Sequence, residues 1–290
     1  MYGSMIRRRS GGSGGTDYSQ YAIHKDLNPQ VMAIVYAQGW SASPDYMTFA
    51  EAAAVTNAQI YDVFDANTTI THFEEFKYFT GVTCIGATDN TVNKGFFNCT
   101  KLATIELPST ITRLAYSCFK QSGITSIEIP DTVTTINQGR SNWRANSAPF
   151  ENCTKLVSVK YTSGVTSFVS RLFYGCSKLT TITNIDNVTR IGGGAFYNCT
   201  SLAYFTIPSG VTELGVSIAS TTGSYTGTVF YGCSSLINIT CLPTTPPTLT
   251  GTDNFTGTTC TISVPAASLN DYKAASGWSD VADRIIAISN

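Results

Sequence analysis

The phrase "FENCTKLVSV" (150–159) returns as "FYGCSKLTTI" (173–182), "FYNCTSLAYF" (196–205) and "FYGCSSLINI" (230–239), always with a cysteine three residues after a phenylalanine. Marking each unit by that phenylalanine gives Phe96, Phe119, Phe150, Phe173, Phe196 and Phe230, and the steps between them are 23, 31, 23, 23 and 34 residues. One period of 23 with enlargements is the mark of a solenoid, because a unit this small cannot bury its apolar face except against a neighbouring copy.

A unit reads F-x-x-C-x-x-L-x-x-I-x-I-P-x-x-V-T-x-I, clearest from Phe196 through Cys199, Leu202, Phe205, Ile207, Pro208, Val211, Thr212 and Leu214. L-x-x-I-x-I and V-T-x-I each alternate inward and outward, which predicts two short strands per coil. Pro108, Pro130 and Pro208 close the first strand, since proline has no amide to continue a ladder. Coils stacked about 4.8 Å apart would then superpose Leu on Leu and Phe on Phe. Phe73, Phe76, Val82 and Ile85 fit the last part of the frame, so a degenerate first coil begins near Thr69. The expected fold is a β-rich, right-handed stack of about seven coils: a flexible leader at 1–20, an N-terminal helical cap at 21–68, the solenoid at 69–264 and a C-terminal cap at 265–290.

These residues resemble the leucine-rich repeats of the BspA-like family, found in surface proteins of mouth and gut bacteria and in proteins of phages that infect them. The resemblance spans roughly residues 69 to 264. It implies a curved solenoid used for adhesion or protein binding, without catalysis. The unit "FKQSGITSI" at Phe119 departs from it, being one residue short and lacking the cysteine.

Cys99, Cys153, Cys176, Cys199 and Cys233 share one phase and should form a buried column. Metal binding would call for converging C-x-x-C pairs, and none occurs. Disulfides between stacked, inward-pointing side chains rarely reach the required torsion. The favoured reading is a free thiol used as a small core residue. Cys241 fits the same view; Cys84, Cys118 and Cys260 have no assigned role. Sequons at Asn98, Asn152, Asn198 and Asn238 recur with the repeat and read as turn asparagines.

At the ends, "MTFAEAAAVTNAQIYDVF" (47–64) reads as a helix opened by a Thr48–Glu51 capping box. The preceding segment resembles family caps with a calcium loop, but Ser41, Ser43 and Tyr46 stand at its ligand and turn positions. Asp45 and Glu51 alone cannot supply six to eight oxygens, so no metal or cofactor is expected. In the closing segment, Pro265 suits a first helical position, Ala266 to Ala275 favours helix and Gly277 stops it, leaving Leu269, Tyr272 and Trp278 as capping contacts.

Charged residues make up only 13% of the 290-residue chain and the net charge is -1, which gives no pull toward nucleic acid. Arg7-Arg8-Arg9 lies in a Gly/Ser-rich leader, and "VMAIVYA" (31–37) falls far below the roughly 20 residues of a membrane helix. No export signal is seen in the sequence given. The two histidines, His24 and His72, lie upstream of every column cysteine, and no catalytic phrase is present.

Function is expected where residues were added. From the V-T valine or isoleucine to the next phenylalanine, plain units take 8 residues, as from Ile111 to Phe119; Val82–Phe96 takes 14, Val133–Phe150 takes 17 and Val211–Phe230 takes 19. All three enlargements fall at one phase, so they should emerge on one side. Arg140, Trp143 and Arg144 in the second and Tyr225 in the third are residue types that dominate binding hot spots, and they are the candidate partner-binding residues. The rival location is the strand face carrying Lys101, Glu106, Glu128 and Lys160. The preferred reading is a non-enzymatic recognition module for a protein or glycan partner, on a virion or at a bacterial cell surface, the missing export signal favouring the virion. The second is a phage tail or fibre component that holds other virion proteins through its leader and contacts the host. An unrecognised enzyme is the third.

Overall fold

The computed structural model describes residues 17–86, 94–136, 148–161, 164–218 and 226–289. The chain opens with β1 (Ile23–His24), α1 (Pro29–Ala37) and β2 (Tyr46–Met47), with β1 antiparallel to β2. Asn28 caps α1, its side chain accepting from the Val31 amide at 3.3 Å, and Pro29 takes the first helical position.

The helix expected over 47–64 is instead two short ones, α2 (Phe49–Ala54) and α3 (Asn57–Ile60). The Thr48–Glu51 capping box forms as read, but Val55 and Thr56 are extended, and Thr56 with Gln59 builds a second capping box. Two adjacent β-branched residues and a second start signal outweigh the alanine run.

Successive coils follow, each contributing strands to one or both of two parallel sheets. In chain order these are β3 (His72–Phe73), β4 (Cys84–Ile85), β5 (Thr104–Ile105), β6 (Arg113–Leu114), β7 (Ser126–Glu128), β8 (Thr135–Ile136), β9 (Ser158–Lys160), β10 (Ser167–Phe168) and β11 (Thr181–Thr183). Then come β12 (Arg190–Gly192), β13 (Tyr204–Ile207), β14 (Glu213–Val216), β15 (Asn238–Cys241), β16 (Thr248–Leu249) and β17 (Thr261–Val264). A short 3-10 turn, α4 (Leu269–Ala274) and β18 (Ile285–Ala287) close the chain. Pro265 stands just before the first helical residue, extended at ψ 133°, rather than inside the helix.

The first sheet runs through β3-β5, β7-β9-β11 and β13-β15-β17-β18, and the second through β4-β6-β8 and β10-β12-β14-β16. Pairing is in register with the repeat: Ser158 faces Ser126 on one side and Thr181 on the other, and Ile191 faces Leu214. Among the described residues α-helix is confined to short segments at either end of the stack.

The interior is a set of superposed columns. Phe64, Phe96, Phe119, Phe150, Phe173, Phe196, Phe230 and Phe255 stack face to face, with centroid spacings from 5.3 Å to 6.1 Å and interplanar angles of 20° or less. Phe64 and Phe255 lie outside the phenylalanines marked by the repeat phrase, because Asn67 and Thr258 replace the cysteine that would have revealed their phase.

The second residue after each ring is left-handed throughout: Ala66, Asn98, Gln121, Asn152, Gly175, Asn198, Gly232 and Gly257 all have φ between 52° and 78°. That requirement explains the recurring asparagine without any sugar. It also explains why asparagine and glycine alternate downstream, since a Cβ on Gly175 would sit 2.1 Å from Asn152 Oδ1 and one on Gly232 2.1 Å from Asn198 Oδ1.

The short unit keeps its register. Ser122 takes the cysteine position and is buried, and the missing residue is absorbed at Gly123, where an added Cβ would lie 2.3 Å from the Thr100 carbonyl oxygen.

Candidate interaction face

All nine cysteines are free and buried. The column thiols do more than fill space, because each donates to the carbonyl of the phenylalanine one coil earlier: Cys99 to Phe64 at 2.9 Å, Cys153 to Phe119 at 2.9 Å, Cys176 to Phe150 at 3.1 Å, Cys199 to Phe173 at 3.2 Å and Cys233 to Phe196 at 3.0 Å. Reading cysteine only as a small apolar residue missed this inter-coil bond. Burial pushes the thiols of Cys99, Cys153 and Cys233 up to about 12, so at neutral pH they are protonated donors and poor nucleophiles. Cys84, Cys118 and Cys260 are buried as well.

The ends of the stack carry specific contacts. Tyr272 and Trp278 are fully buried; Tyr272 donates to the Pro243 carbonyl at 2.9 Å and Trp278 Nε1 to that of Pro247 at 2.8 Å, while the indole packs on Phe255. Leu269 is partly buried against the same core. At the other end the buried Asn28 donates to the His72 carbonyl at 3.0 Å and to Glu75 Oε2 at 2.9 Å.

The residues singled out for chemistry are engaged in structure. Glu51 accepts from the Ala42 and Thr48 amides, both at 2.8 Å, and Asp45 pairs with Lys25 at 2.6 Å. His72 meets the Leu27 carbonyl at 3.3 Å, and His24 packs against Tyr18 and Tyr21. Among the described residues no group of three or more His, Cys, Asp or Glu could hold a metal ion, and no helix is long and apolar enough to cross a membrane.

On the outer face of the first sheet the charges are satisfied across coils. Glu106 pairs with Lys77 and Glu128 with Lys160, each at 2.7 Å, while Lys101 is exposed. Pairs this exposed contribute about 0–1 kcal/mol and leave the strand face close to neutral.

The three enlarged connections leave the solenoid directly after β4, β8 and β14, all strands of the second sheet. Arg140, Trp143, Arg144 and Tyr225 lie outside the described residues. The stem of the third connection is held two coils back: Ser170 Oγ accepts from the Ile218 amide at 3.1 Å and donates toward the Val216 carbonyl at 3.4 Å.

A further surface feature was missed in the sequence. Tyr174, Tyr197 and Tyr231 stack at 4.5 Å and 4.7 Å, half-exposed, with the Arg171 guanidinium 3.9 Å from the Tyr174 centroid. Arg171 and Lys120 both pair with the buried Glu151, at 2.7 Å and 3.2 Å. The thrice-repeated "FY" was the signal: if the first ring of each dipeptide stacks inward, the second must stack outward.

Parallel coils with an inward leucine and phenylalanine phase define a leucine-rich repeat protein. More narrowly, residues 64–142 and 144–226 match the BspA type leucine rich repeat region in six copies, and the chain belongs to that family. No curated protein matches it. Among solved structures it is similar to a leucine-rich repeat protein from Bacteroides ovatus, at 24% identity over 77% of this chain and 58% of that one, with a TM-score of 0.46. It is also similar to a leucine rich cell surface protein from Faecalibacterium prausnitzii, at 20% identity over 74% of this chain and 68% of that one (TM-score 0.34). The T. pallidum leucine rich repeat protein matches at 22% identity over 57% of this chain and 69% of that one, with a TM-score of 0.37. The chain thus spans 58% of the length of the Bacteroides ovatus protein. Family membership marks it as a protein-interaction or surface module.

Proposed function

We propose that the chain is a recognition module, working without catalysis, that holds a protein or glycan partner of a bacterial surface on the side where its enlarged connections emerge. The observation that carries this reading is their common origin: each leaves after a strand of the second sheet, at the same phase of the coil. A solenoid tolerates added residues at many loops, and three additions at one phase all start from one side of it. Arg140, Trp143, Arg144 and Tyr225 are the proposed contact residues on that face. The segments at 21–68 and 265–290 are proposed as caps for a stack of about seven full coils, shielding apolar surface and strand edges.

The test is binding of the fluorescently labelled chain to intact bacterial cells and to a glycan array. Replacing Trp143 and Tyr225 together by alanine should reduce binding at least tenfold while leaving the melting temperature within about 1 °C, since surface changes of this kind alter stability by about 0.5 kcal/mol or less. Undiminished binding by the double variant rejects the loop face.

A further inference from the structure

Neighbouring strands of the first sheet are unpaired at two places, β5 against β7 and β11 against β13, and among the described residues the second also lacks the amide bond between coils. At five other steps the coil donates an amide to the preceding coil at the same place: Ala103 to Thr71 at 2.8 Å, Thr125 to Ala103 at 2.9 Å, Val157 to Thr125 at 2.7 Å, Thr180 to Val157 at 2.9 Å and Ile237 to Ala203 at 2.8 Å; at a sixth the next residue along does so, Thr261 to Ile237 at 2.9 Å. Between Thr180 and Ala203 no such bond forms, and β11 is not paired with β13. The same two coils stay joined elsewhere. Phe173 stacks on Phe196 at 5.7 Å, Cys199 bonds the Phe173 carbonyl, and β10, β12 and β14 remain paired. The far edge of β11 is closed too, with Tyr161 donating to the Thr183 carbonyl at 3.0 Å. The opening is therefore local to one face.

Its cause is legible in the residues. The second inward position of the first strand is the partly buried Leu107 and the buried Ile129, Tyr161, Ile207, Cys241 and Val264 in other coils, but Asn184 here, left-handed at φ 60° and exposed. A polar residue with positive φ ends β11 early and takes the chain out of strand geometry. Ile182, whose equivalents from Phe73 to Ile262 are at most 6% exposed, is only partly buried as a result.

The joint forms a cleft of about 460 Å³. Its edges carry the Thr180 carbonyl and the Ala203 amide, which have no backbone partner among the described residues, beside Tyr204, which is 64% exposed and the most exposed large hydrophobic among the described residues. Asp186 is the only charged side chain lining it and makes no ion pair among the described residues.

From this geometry we infer that the joint between β11 and β13 is a binding site for an extended peptide segment, taken up by strand addition, with an apolar side chain over Ile182, an aromatic contact at Tyr204 and a lysine or arginine opposite Asp186. Unpaired backbone groups on a strand edge are complementary to another backbone, and the lone carboxylate sets the sign of the flanking residue. The inference rests on the recognition reading above and names a second, separate surface for it.

The test uses the full chain and an array of acetylated nonapeptides varied at every position, with hydrogen–deuterium exchange as a second readout. Hits should carry a basic residue and should protect the Ala203 and Tyr204 amides. They should lose at least tenfold in affinity when a central residue is N-methylated, the loss expected for one backbone hydrogen bond. Asn184→Ile restores the repeat residue; it should close the joint, raise the melting temperature and abolish peptide binding. Absence of any peptide that protects these amides, or equal binding by Asn184→Ile, overturns the inference. Cell or glycan binding that persists in Asn184→Ile but is lost in the Trp143/Tyr225 variant would sink the peptide site as the cell contact and leave the loop face standing.

Discussion

Two edges of the same coils behave differently. Along the phenylalanine–cysteine edge the stack is unbroken from Phe64 to Phe255, tied by ring on ring, by thiol to carbonyl and by turn amides such as Phe173 to Ala195 at 2.8 Å and Gly175 to Tyr197 at 2.7 Å. Along the first sheet the strand pairing lapses between β5 and β7, where the Thr125 amide still bonds the Ala103 carbonyl at 2.9 Å, and between β11 and β13, where no such bond joins the coils. The contrast shows that register is held redundantly: where aromatic stacking and one sheet suffice to keep two coils together, the other sheet is free to vary. In a solenoid with nearest-neighbour energetics, such freedom is local and does not spread.

The largest expected effect concerns the tight edge. The Cys99, Cys153 and Cys233 thiols titrate near 12 in the folded chain, against about 8.5 when unfolded. Above pH 9 the unfolded state therefore releases protons that the folded state keeps, and stability falls as pH rises. It is fully present below about pH 8.5 and is lost progressively up to about 12, at about 1.4 kcal/mol per pH unit for each thiol. Calorimetry from pH 8 to 11 should show a steeply falling melting temperature. A flat profile would mean the thiols are not sealed.

Removing one ring comes next. Phe173→Ala should cost about 3–5 kcal/mol in urea unfolding, because Phe173 is fully buried between two neighbours. A loss below about 1 kcal/mol would show that the column can collapse around the gap.

The smallest effect separates the two kinds of joint. Ile127→Ala, at a closed one, should cost about 2–5 kcal/mol, whereas Ile182→Ala at the open one should cost about 1 kcal/mol, since Ile182 is only partly buried. Equal losses would mean that the first sheet is closed throughout.

Much of this architecture could be read from the chain because a solenoid repeats its instructions. Phe196, Cys199, Leu202 and Phe205 state the inward phase, and neighbouring copies correct one another. What could not be read depended on single positions. Phe64 and Phe255 were hidden by Asn67 and Thr258, although the left-handed residues at Ala66 and Gly257 kept the same turn. The thiol bonds depend on a carbonyl in the preceding coil, which no local pattern reports. Val55 and Thr56 divided a stretch whose alanines suggested one helix. Asn184 stands in the sequence as a departure from the repeat, and its effect on β13 exists only after stacking. The proposed contact residues Arg140, Trp143, Arg144 and Tyr225 stood out by type and by the phase of their insertions.

Residue-resolved amide exchange on the unliganded chain is the most direct test. Slow exchange at Thr125, Thr180, Ile237 and Thr261 together with exchange at Ala203 at least tenfold faster is the result required by in-register coils whose first sheet lacks the amide bond between β11 and β13. Uniform protection at all five amides, or fast exchange at the first four, would contradict it.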